Sequence, residues 1–395
     1  MKEKLLNYLL SFISIALTLV FLEFFFNHYL IHKTPLKFHF ALPEALQVLA
    51  QSSKDKRLPN DYIALVGDSY AQGKGDWLLQ TNPNQNSAFH SAHLIHQYLG
   101  QDVVSFGNSG SSNIEGLIQE PIAKLGFIER NIDTDIQNPK QILVYFYAGN
   151  DLTDNLEELT SFVSEYGQDK RHNQAAWHAY FKQKIKTKKV GAMHFYDANH
   201  GWLIHTLRKL IAHSFNKPQD SEIDRLAEPD NNKLVTSAWI AGKKQRLPNS
   251  LQTPAMALNQ EQTQAALDIF KRCLIYMQQY FKQANISVVY IPAVLESYSI
   301  SSSANIALNS QSLPAQVTQR SDQIAAAIKA ISIQQSLNFI DTRPAIQQAA
   351  KQQIIHGPRD WKHFNQAGYK ALSQAIVCSE PFKVSLLEEY KNLCM

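Results

Sequence analysis

The first apolar run of the chain extends almost without interruption from Leu5 to Leu30. Its part from Tyr8 to Phe26 is close to the roughly 20 residues that a helix needs to cross a bilayer. The run passes into aromatic residues 24–29 without the small-residue cleavage site that ends a secretory signal peptide. The pattern therefore predicts an uncleaved transmembrane signal anchor over residues 5–30, with Glu23 reaching the membrane interface.

Beyond the anchor, short continuous apolar runs alternate with amphipathic segments. The runs predict five buried strands, Tyr62–Val66, Val103–Phe106, Gln141–Ala148, Ile286–Pro292 and Asn338–Asp341. The amphipathic segments predict five helices, Ser91–Leu99, Ile114–Leu125, Asn259–Gln283, Gln316–Gln335 and Gln366–Val377. Strands that are apolar throughout are typical of parallel sheets covered on both faces. The alternation predicts an α/β domain with a parallel sheet.

The remaining segments define the expected domain organisation. Residues 31–60 are expected to form a linker with a short helix around Pro43–Gln51, and residues 61–378 the folded domain. The alternation lapses between Leu152 and Ala257, where Trp202–Ser214 looks helical and no buried strand is evident. A structureless loop of this length is improbable, so we expect an insertion or lid at about 152–257. Residues 379–395 form a C-terminal segment.

Composition narrows the class of protein. The 395 residues are 45% hydrophobic and 18% charged, which excludes disordered, collagen-like and disulfide-scaffold chains. The 38 basic and 34 acidic residues leave a net charge of +4, too small to indicate a nucleic-acid partner. The sequence therefore describes a globular domain joined to a membrane helix.

The flanks of the anchor decide its orientation only weakly. Lys2 and Lys4 precede the helix, whereas Lys33 and Lys37 follow it, so the positive-inside count is nearly tied. A large domain can be translocated despite such a tie, and we expect the domain to be periplasmic or extracellular.

The cysteines show no spacing typical of a zinc site. Outside the cytoplasm Cys378 and Cys394 are free to pair, whereas Cys273, in an amphipathic helix, is expected to stay a buried thiol.

Polar residues with catalytic potential follow three of the predicted strands. Gly67, Asp68 and Ser69 follow the first strand, which places a serine at the carboxyl edge of the sheet. Residues 107–112 (GNSGSS) follow the second strand and suit either an anion site or a plain turn. Asn150 follows the third strand, where its amide can face an oxyanion or cap a turn.

A fourth motif lies near the carboxyl end. Asp360 and His363 precede Asn365, a good N-cap for the last predicted helix. The spacing allows the carboxylate to orient the imidazole, and the imidazole to take a proton from a serine on a distant strand.

These four motifs, in this order, resemble those of the SGNH hydrolase superfamily, also called GDSL esterases and lipases. The resemblance covers residues 62–376 apart from the insertion, and it implies a flavodoxin-like three-layer α/β/α fold. It implies Ser69 as nucleophile, His363 as general base and Asp360 as the partner of that base. It further implies an oxyanion hole formed by the Ser69 backbone amide, Gly110 and Asn150. Two residues depart from the family pattern: Tyr70 stands where leucine is frequent, and Phe364 where proline often follows the histidine.

The resemblance implies a membrane-anchored serine esterase that needs neither metal nor organic cofactor. The alternative is an O-acyltransferase or acetyltransferase that passes the acyl group to a cell-envelope polysaccharide. The expected partners are an acyl ester, with carbohydrate and lipid esters as candidates, and the membrane. A non-catalytic binding module is disfavoured because every reacting position is present.

Several other polar residues have competing interpretations. His90, His93 and His96 indicate either a solvated helix face or, less strongly, a metal site. His356 competes with His363 as base but lacks an aspartate three residues earlier. Asp68 and Asp151 are expected to hold their turns by hydrogen bonds to the backbone.

Two further groups lie in the expected insertion. Its solvated edge is expected to include Lys186, Lys188 and Lys189. Either a pocket wall or the core of the insertion is expected to include Trp177, Tyr180 and Trp202.

Overall fold

The structure of the chain is a computed structural model. The structure describes residues 2–31, 34, 38, 41–42, 44–55, 60–75, 90–131, 137–188, 202–215, 236–247, 251, 253–307, 310–358 and 360–394.

The described part of the chain contains ten strands and fourteen α-helices. The strands are β1 (Tyr62–Val66), β2 (Asp102–Ser105), β3 (Gln141–Tyr147), β4 (Ser237–Ile240), β5 (Lys243–Arg246), β6 (Asn285–Ile291), β7 (Ser299–Ile300), β8 (Ala304–Ala307), β9 (Ser310–Ser312) and β10 (Asn338–Asp341). The helices are α1 (Lys2–Phe25), α2 (Glu44–Gln47), α3 (Ser69–Gln72), α4 (Ser91–Leu99), α5 (Glu120–Asn131), α6 (Asp151–Tyr166), α7 (Gln174–Thr187), α8 (Trp202–Phe215), α9 (Gln260–Tyr280), α10 (Val294–Ser297), α11 (Pro314–Gln334), α12 (Arg343–Gln352), α13 (Gln366–Val377) and α14 (Glu380–Lys383). A π-helix, Ile114–Gln119, leads into α5, and another, Phe26–Leu30, follows α1.

A five-stranded parallel sheet forms the centre of the domain. Its strand order is β2-β1-β3-β6-β10, and each neighbouring pair is parallel. The order reverses between β1 and β3, which is the position where open α/β sheets of the flavodoxin type form their sites. The predicted parallel α/β fold is confirmed.

Helices cover both faces of this sheet because alternate strand residues point to opposite sides. Ala64 and Val66 of β1 pack into a core shared with α5, α6, α9 and α11. Ile63 and Leu65 pack into a second core shared with α4, α12 and α13. The domain therefore has the three layers expected from the resemblance.

The segment expected to be an insertion differs from the prediction in two respects. Its first helix, α6, packs against α9 and buries Leu152 and Phe162 in the first core, so it belongs to the helix layer. The prediction of no buried strand is wrong, because β4 pairs antiparallel with β5 and β7 and buries Ala238 and Ile240. The β4–β5 pairing is a local hairpin with a two-residue turn at Ala241 and Gly242, whereas β7 is remote in sequence.

The expected linker is also more ordered than predicted. Gln51 exchanges two hydrogen bonds with the backbone of Ser105, and the Ser53 hydroxyl donates to Val103 O at 2.6 Å. Residues 51–53 therefore run along the edge strand β2 rather than as free chain. The helix around 43–51 is shortened to α2, while Pro43 and residues 56–59 lie outside the described residues.

Helix α1 is long and apolar enough to cross a membrane over Lys4–Phe25. Its side chains are exposed along almost the whole helix, although Glu23 is buried.

At the other end of the chain, a disulfide joins Cys378 to Cys394, and Cys273 is a buried free thiol. Both states agree with the sequence-based expectation.

Candidate active site

Ser69 lies at the carboxyl end of β1, as the first residue of the short helix α3. The turn is held by Asp68, whose carboxylate accepts a hydrogen bond from the Tyr70 backbone N–H at 2.9 Å. Gly67 has a φ of +145°, and a Cβ there would lie 2.9 Å from the Tyr145 carbonyl oxygen. The strand therefore ends in a turn that only glycine fits, and the serine is directed to the sheet edge.

The three residues expected to form a triad are brought together. His363 Nε2 lies 2.8 Å from the Ser69 Oγ, and His363 Nδ1 lies 2.7 Å from Asp360 Oδ2. Both distances are those of good hydrogen bonds. The Ser69 residue is 7% exposed, and the His363 and Asp360 side chains are 16% and 18% exposed. The three side chains are therefore mostly buried, but each keeps some contact with solvent.

The carboxylate of Asp360 favours an ionised state despite its partial burial. Burial alone raises the pKa of a carboxyl group, but the hydrogen bond and charge of His363 lower the pKa of Asp360 below its usual value. The ionised carboxylate fixes the tautomer with the proton on Nδ1, which leaves Nε2 free to accept the serine proton.

The two departures from the family pattern contact each other. The Tyr70 and Phe364 rings pack edge to face with centroids 5.1 Å apart, and the Tyr70 ring lies 5.3 Å from that of His363. The Tyr70 hydroxyl also donates to the Lys362 carbonyl at 2.9 Å. Tyr70 therefore ties the turn that carries the serine to the loop that carries the histidine.

Gly110 and Asn150, the expected oxyanion donors, differ in how they are held. Gly110 has a φ of +76°, and no atom lies within 4 Å of the position its Cβ would occupy. The Asn150 side chain donates to Asp154 Oδ2 at 2.7 Å. Since a carboxamide has two N–H bonds, this contact occupies one and leaves the second for an oxyanion.

Asp154 was not anticipated from the sequence, although its spacing of four residues from Asn150 on a helix was a usable signal. Burial, together with the negative charges of Asp68 and Glu157, raises the pKa of Asp154 to about 7. The group that orients the Asn150 amide therefore changes its charge near neutral pH.

A second missed feature is a buried polar network beneath the site. Asp151 Oδ2 accepts from the Asn113 side chain at 2.9 Å and from the Tyr147 backbone N–H at 3.0 Å. Asn155 donates to Asn113 Oδ1 at 2.8 Å. This network fixes the segment after β2 to helix α6. Asp68 and Asp151 thus hold their turns through backbone N–H groups, as expected.

His356 does not take the place of His363. It is fully buried, and its Nδ1 lies 3.0 Å from the Tyr298 hydroxyl. Burial lowers the pKa of His356 to about 3, so this imidazole stays neutral.

The interpretation of His90, His93 and His96 as a solvated helix face is wrong for His90, whereas His93 and His96 are partly exposed. His90 is fully buried and caps α4, with its Nδ1 accepting from the Ala92 N–H at 3.1 Å. His96 lies 3.7 Å from Asp55 and 3.9 Å from Asp102. Because Asp102 begins β2, this charged group lies at the opposite edge of the sheet from Ser69.

The expected solvated lysine edge is only partly correct. Lys186 is exposed, but Lys188 forms an ion pair with the buried Glu120 carboxylate, so it belongs to the packing of α5. Lys189 lies outside the described residues.

The aromatic residues of the expected insertion form its core rather than a pocket wall. Trp177, Tyr180 and Trp202 are 1%, 2% and 1% exposed. Trp177 stacks on Phe162 with centroids 3.8 Å apart, and Tyr180 meets that ring edge to face at 5.4 Å. These rings are therefore not available to a substrate.

No family model matches the chain, and no curated protein matches it. Among solved structures, the chain is similar to an extracellular lipase from Streptomyces rimosus, at 14% identity and a TM-score of 0.37 over 80% of this chain and 98% of the lipase. It is also similar to a variant of an acetyl-xylooligosaccharide esterase from Geobacillus stearothermophilus, at 12% identity and a TM-score of 0.33 over 81% of this chain and 93% of the esterase.

Proposed function

We propose that the protein is a membrane-anchored serine ester hydrolase that works through an acyl-enzyme. The observation that carries the proposal is the continuous set of contacts from Asp360 through His363 to Ser69, at 2.7 and 2.8 Å. These contacts require the strand and turn that carry Ser69 to meet a distant loop that carries His363 and Asp360. Side chains that serve only in packing do not require such an arrangement.

In the proposed reaction, the Ser69 Oγ attacks the ester carbonyl while His363 Nε2 takes its proton. The oxyanion is stabilised by the Ser69 backbone amide, Gly110 and Asn150. When the tetrahedral intermediate collapses, the histidine proton goes to the leaving alcohol, and the acyl group remains on Ser69. Water, deprotonated by the same histidine, then releases the acid and restores the serine.

One observation supports retention of the anchor, and a second supports the compartment of the domain. Phe26 and Ile31, which follow α1, are buried in the core that also contains β1 and β3. Removal of the helix at its carboxyl end would therefore disturb this core. The Cys378–Cys394 disulfide supports a site outside the cytoplasm, because disulfides persist in oxidising compartments.

The decisive experiment compares wild type with Ser69→Ala in the detergent-solubilised full chain. We expect the variant to lose turnover of a chromogenic acetyl ester and to lose labelling by a fluorophosphonate probe. Ser109→Ala is the matched control, because Ser109 is exposed on the neighbouring loop. We expect the control to keep both signals, and turnover and labelling that persist in Ser69→Ala would contradict the proposal.

A second arm adds oligosaccharide acceptors to the same assay. Hydrolysis releases free acid at a rate that is independent of acceptor. If acyl groups instead appear on the sugar and free acid decreases, the acyl-enzyme stands and the reaction is transfer.

A further inference from the structure

The carboxylate of Glu23, near the end of α1, caps the amino terminus of α8. It accepts hydrogen bonds from the backbone N–H groups of Trp202 and Leu203, the latter at 3.0 Å. The first N–H groups of a helix lack partners within the helix, and their partial positive charge favours an anion. Glu23 is 8% exposed, so the contact is enclosed. The interface position expected for Glu23 thus has a specific partner in the domain.

This contact fixes the level at which α8 begins. From Leu5 to Glu23 an α-helix rises about 27 Å at 1.5 Å per residue, close to the roughly 30 Å of a hydrocarbon core. With α1 spanning the membrane, Glu23 lies at the far interface. The first residue of α8, Trp202, lies at that same level.

Helix α8 carries an exposed apolar stripe. Ile204, Leu207 and Ile211 are 42%, 47% and 58% exposed. Their spacing places them on one face of the helix. Trp202 and Thr206, which are buried, lie on another face. Within the described part of the chain, the packing of α8 thus covers one face and leaves an apolar face open.

The charged positions of α8 are all basic. Arg208 borders the apolar stripe and Lys209 lies on the opposite side of the helix; both are exposed, and residues 202–215 contain no Asp or Glu. A helix with an exposed apolar face and basic polar positions is typical of those that lie in a membrane interface. There the apolar side chains enter the headgroup boundary and the cations meet anionic lipid.

We propose that α8 lies in the membrane interface beside the anchor, with Ile204, Leu207 and Ile211 inserted among anionic phospholipids. The proposal rests on the membrane anchoring proposed above, but not on the ester chemistry. It means that the domain is held to the bilayer at two places, which restricts its rotation about α1.

The test places a fluorophore at single introduced cysteines in the full chain, reconstituted in nanodiscs with brominated lipid as quencher. Cys273 is buried and the other two cysteines are paired, so labelling is confined to the introduced site. The positions are Leu207→Cys on α8, Ser14→Cys within α1 and Thr160→Cys, an exposed residue of α6. We expect strong quenching at residues 14 and 207, and none at residue 160.

A second variant, Arg208→Glu with Lys209→Glu, tests the lipid charge. Each basic residue near an anionic surface changes affinity by about fivefold. We therefore expect anionic lipid to increase quenching at residue 207 in the parent and not in the charge-reversed protein.

The outcomes separate the possible failures. Quenching at residue 14 without quenching at residue 207 would overturn the interfacial position of α8 while leaving the anchor intact. A blue-shifted but unquenched probe at residue 207 would mean that protein covers the stripe. Absence of quenching at both positions would overturn the anchor and this proposal together. Ester turnover, measured on the same samples, reports on the proposed reaction independently.

Discussion

The raised pKa of Asp154 predicts that Asp154→Asn stabilises the protein, and does so more at high pH than at low pH. The folded pKa is about 7, whereas the unfolded pKa is about 3.9. Between these two pH values the folded protein keeps the Asp154 proton, whereas the unfolded chain loses it. The free energy of unfolding therefore falls as the pH rises from the unfolded pKa to the folded pKa. Asparagine removes this dependence, and its side-chain oxygen can still accept the hydrogen bond from Asn150.

The difference between the folded and unfolded pKa values of Asp154 sets how much its ionisation lowers the free energy of unfolding. The loss is about 4 kcal/mol at pH 8.5 and about 1.5 kcal/mol at pH 5. Asp154 is partly exposed, so we take roughly half of each value, about 2 and about 0.7 kcal/mol, to allow for screening by solvent. For a chain of this size, 1 kcal/mol shifts the melting temperature by roughly 1 °C. We expect Asp154→Asn to raise Tm by about 2–3 °C at pH 8.5 and by about 1 °C or less at pH 5.

Thermal denaturation of the detergent-solubilised full chain, followed by intrinsic fluorescence, measures this shift. Glu165→Gln is the matched control, because Glu165 is exposed on the same helix and the substitution removes the same charge. The reasoning fails if Asp154→Asn does not stabilise the protein at pH 8.5, if its effect is larger at pH 5, or if the control gives the same pH-dependent gain.

Two further predictions concern the oxyanion donor and the aromatic core. Asn150→Ala should lower kcat by roughly 10²- to 10³-fold with a smaller change in KM, because the donor acts on charge that develops in the transition state; an unchanged kcat in steady-state assays would reduce Asn150 to a turn cap. Trp177→Ala should destabilise the protein by about 3–5 kcal/mol through loss of the stack on Phe162; a change in substrate preference without loss of Tm would return Trp177 to the pocket wall.

The sequence predicted the central sheet well, because its strands are continuous apolar runs bounded by glycine or polar residues. The bounds of β1 and β10 match the prediction, as do those of α4 and α13. The contacts of His363 with Asp360 and Ser69 were also expected, from the three-residue spacing of Asp360 and His363 and from the position of Ser69 after a buried strand. The catalytic roles of these residues remain predictions.

The features that were missed depend on contacts that local patterns do not encode. Helix α6 is an exception, because Leu152, Leu156, Leu159 and Val163 recur at helical spacing and were a usable signal. The contact of Glu23 with α8 joins residues about 180 positions apart, so the sequence indicated only an interfacial carboxylate. Similarly, the burial of His90 follows from its role as a cap for α4 rather than from its own polarity.

The distance along the chain between Ser69 and His363, 294 residues, has a consequence for biosynthesis. At roughly 5–20 residues per second, a ribosome takes roughly 15–60 s to add that length. Throughout this interval Ser69, the proposed nucleophile, exists without its proposed base, and its hydroxyl is as unreactive as that of an ordinary serine. The proposed mechanism therefore makes a nascent or prematurely terminated chain inert toward esters. The contact between Ser69 and His363 arises only when the last part of the domain has been made and has closed against the first.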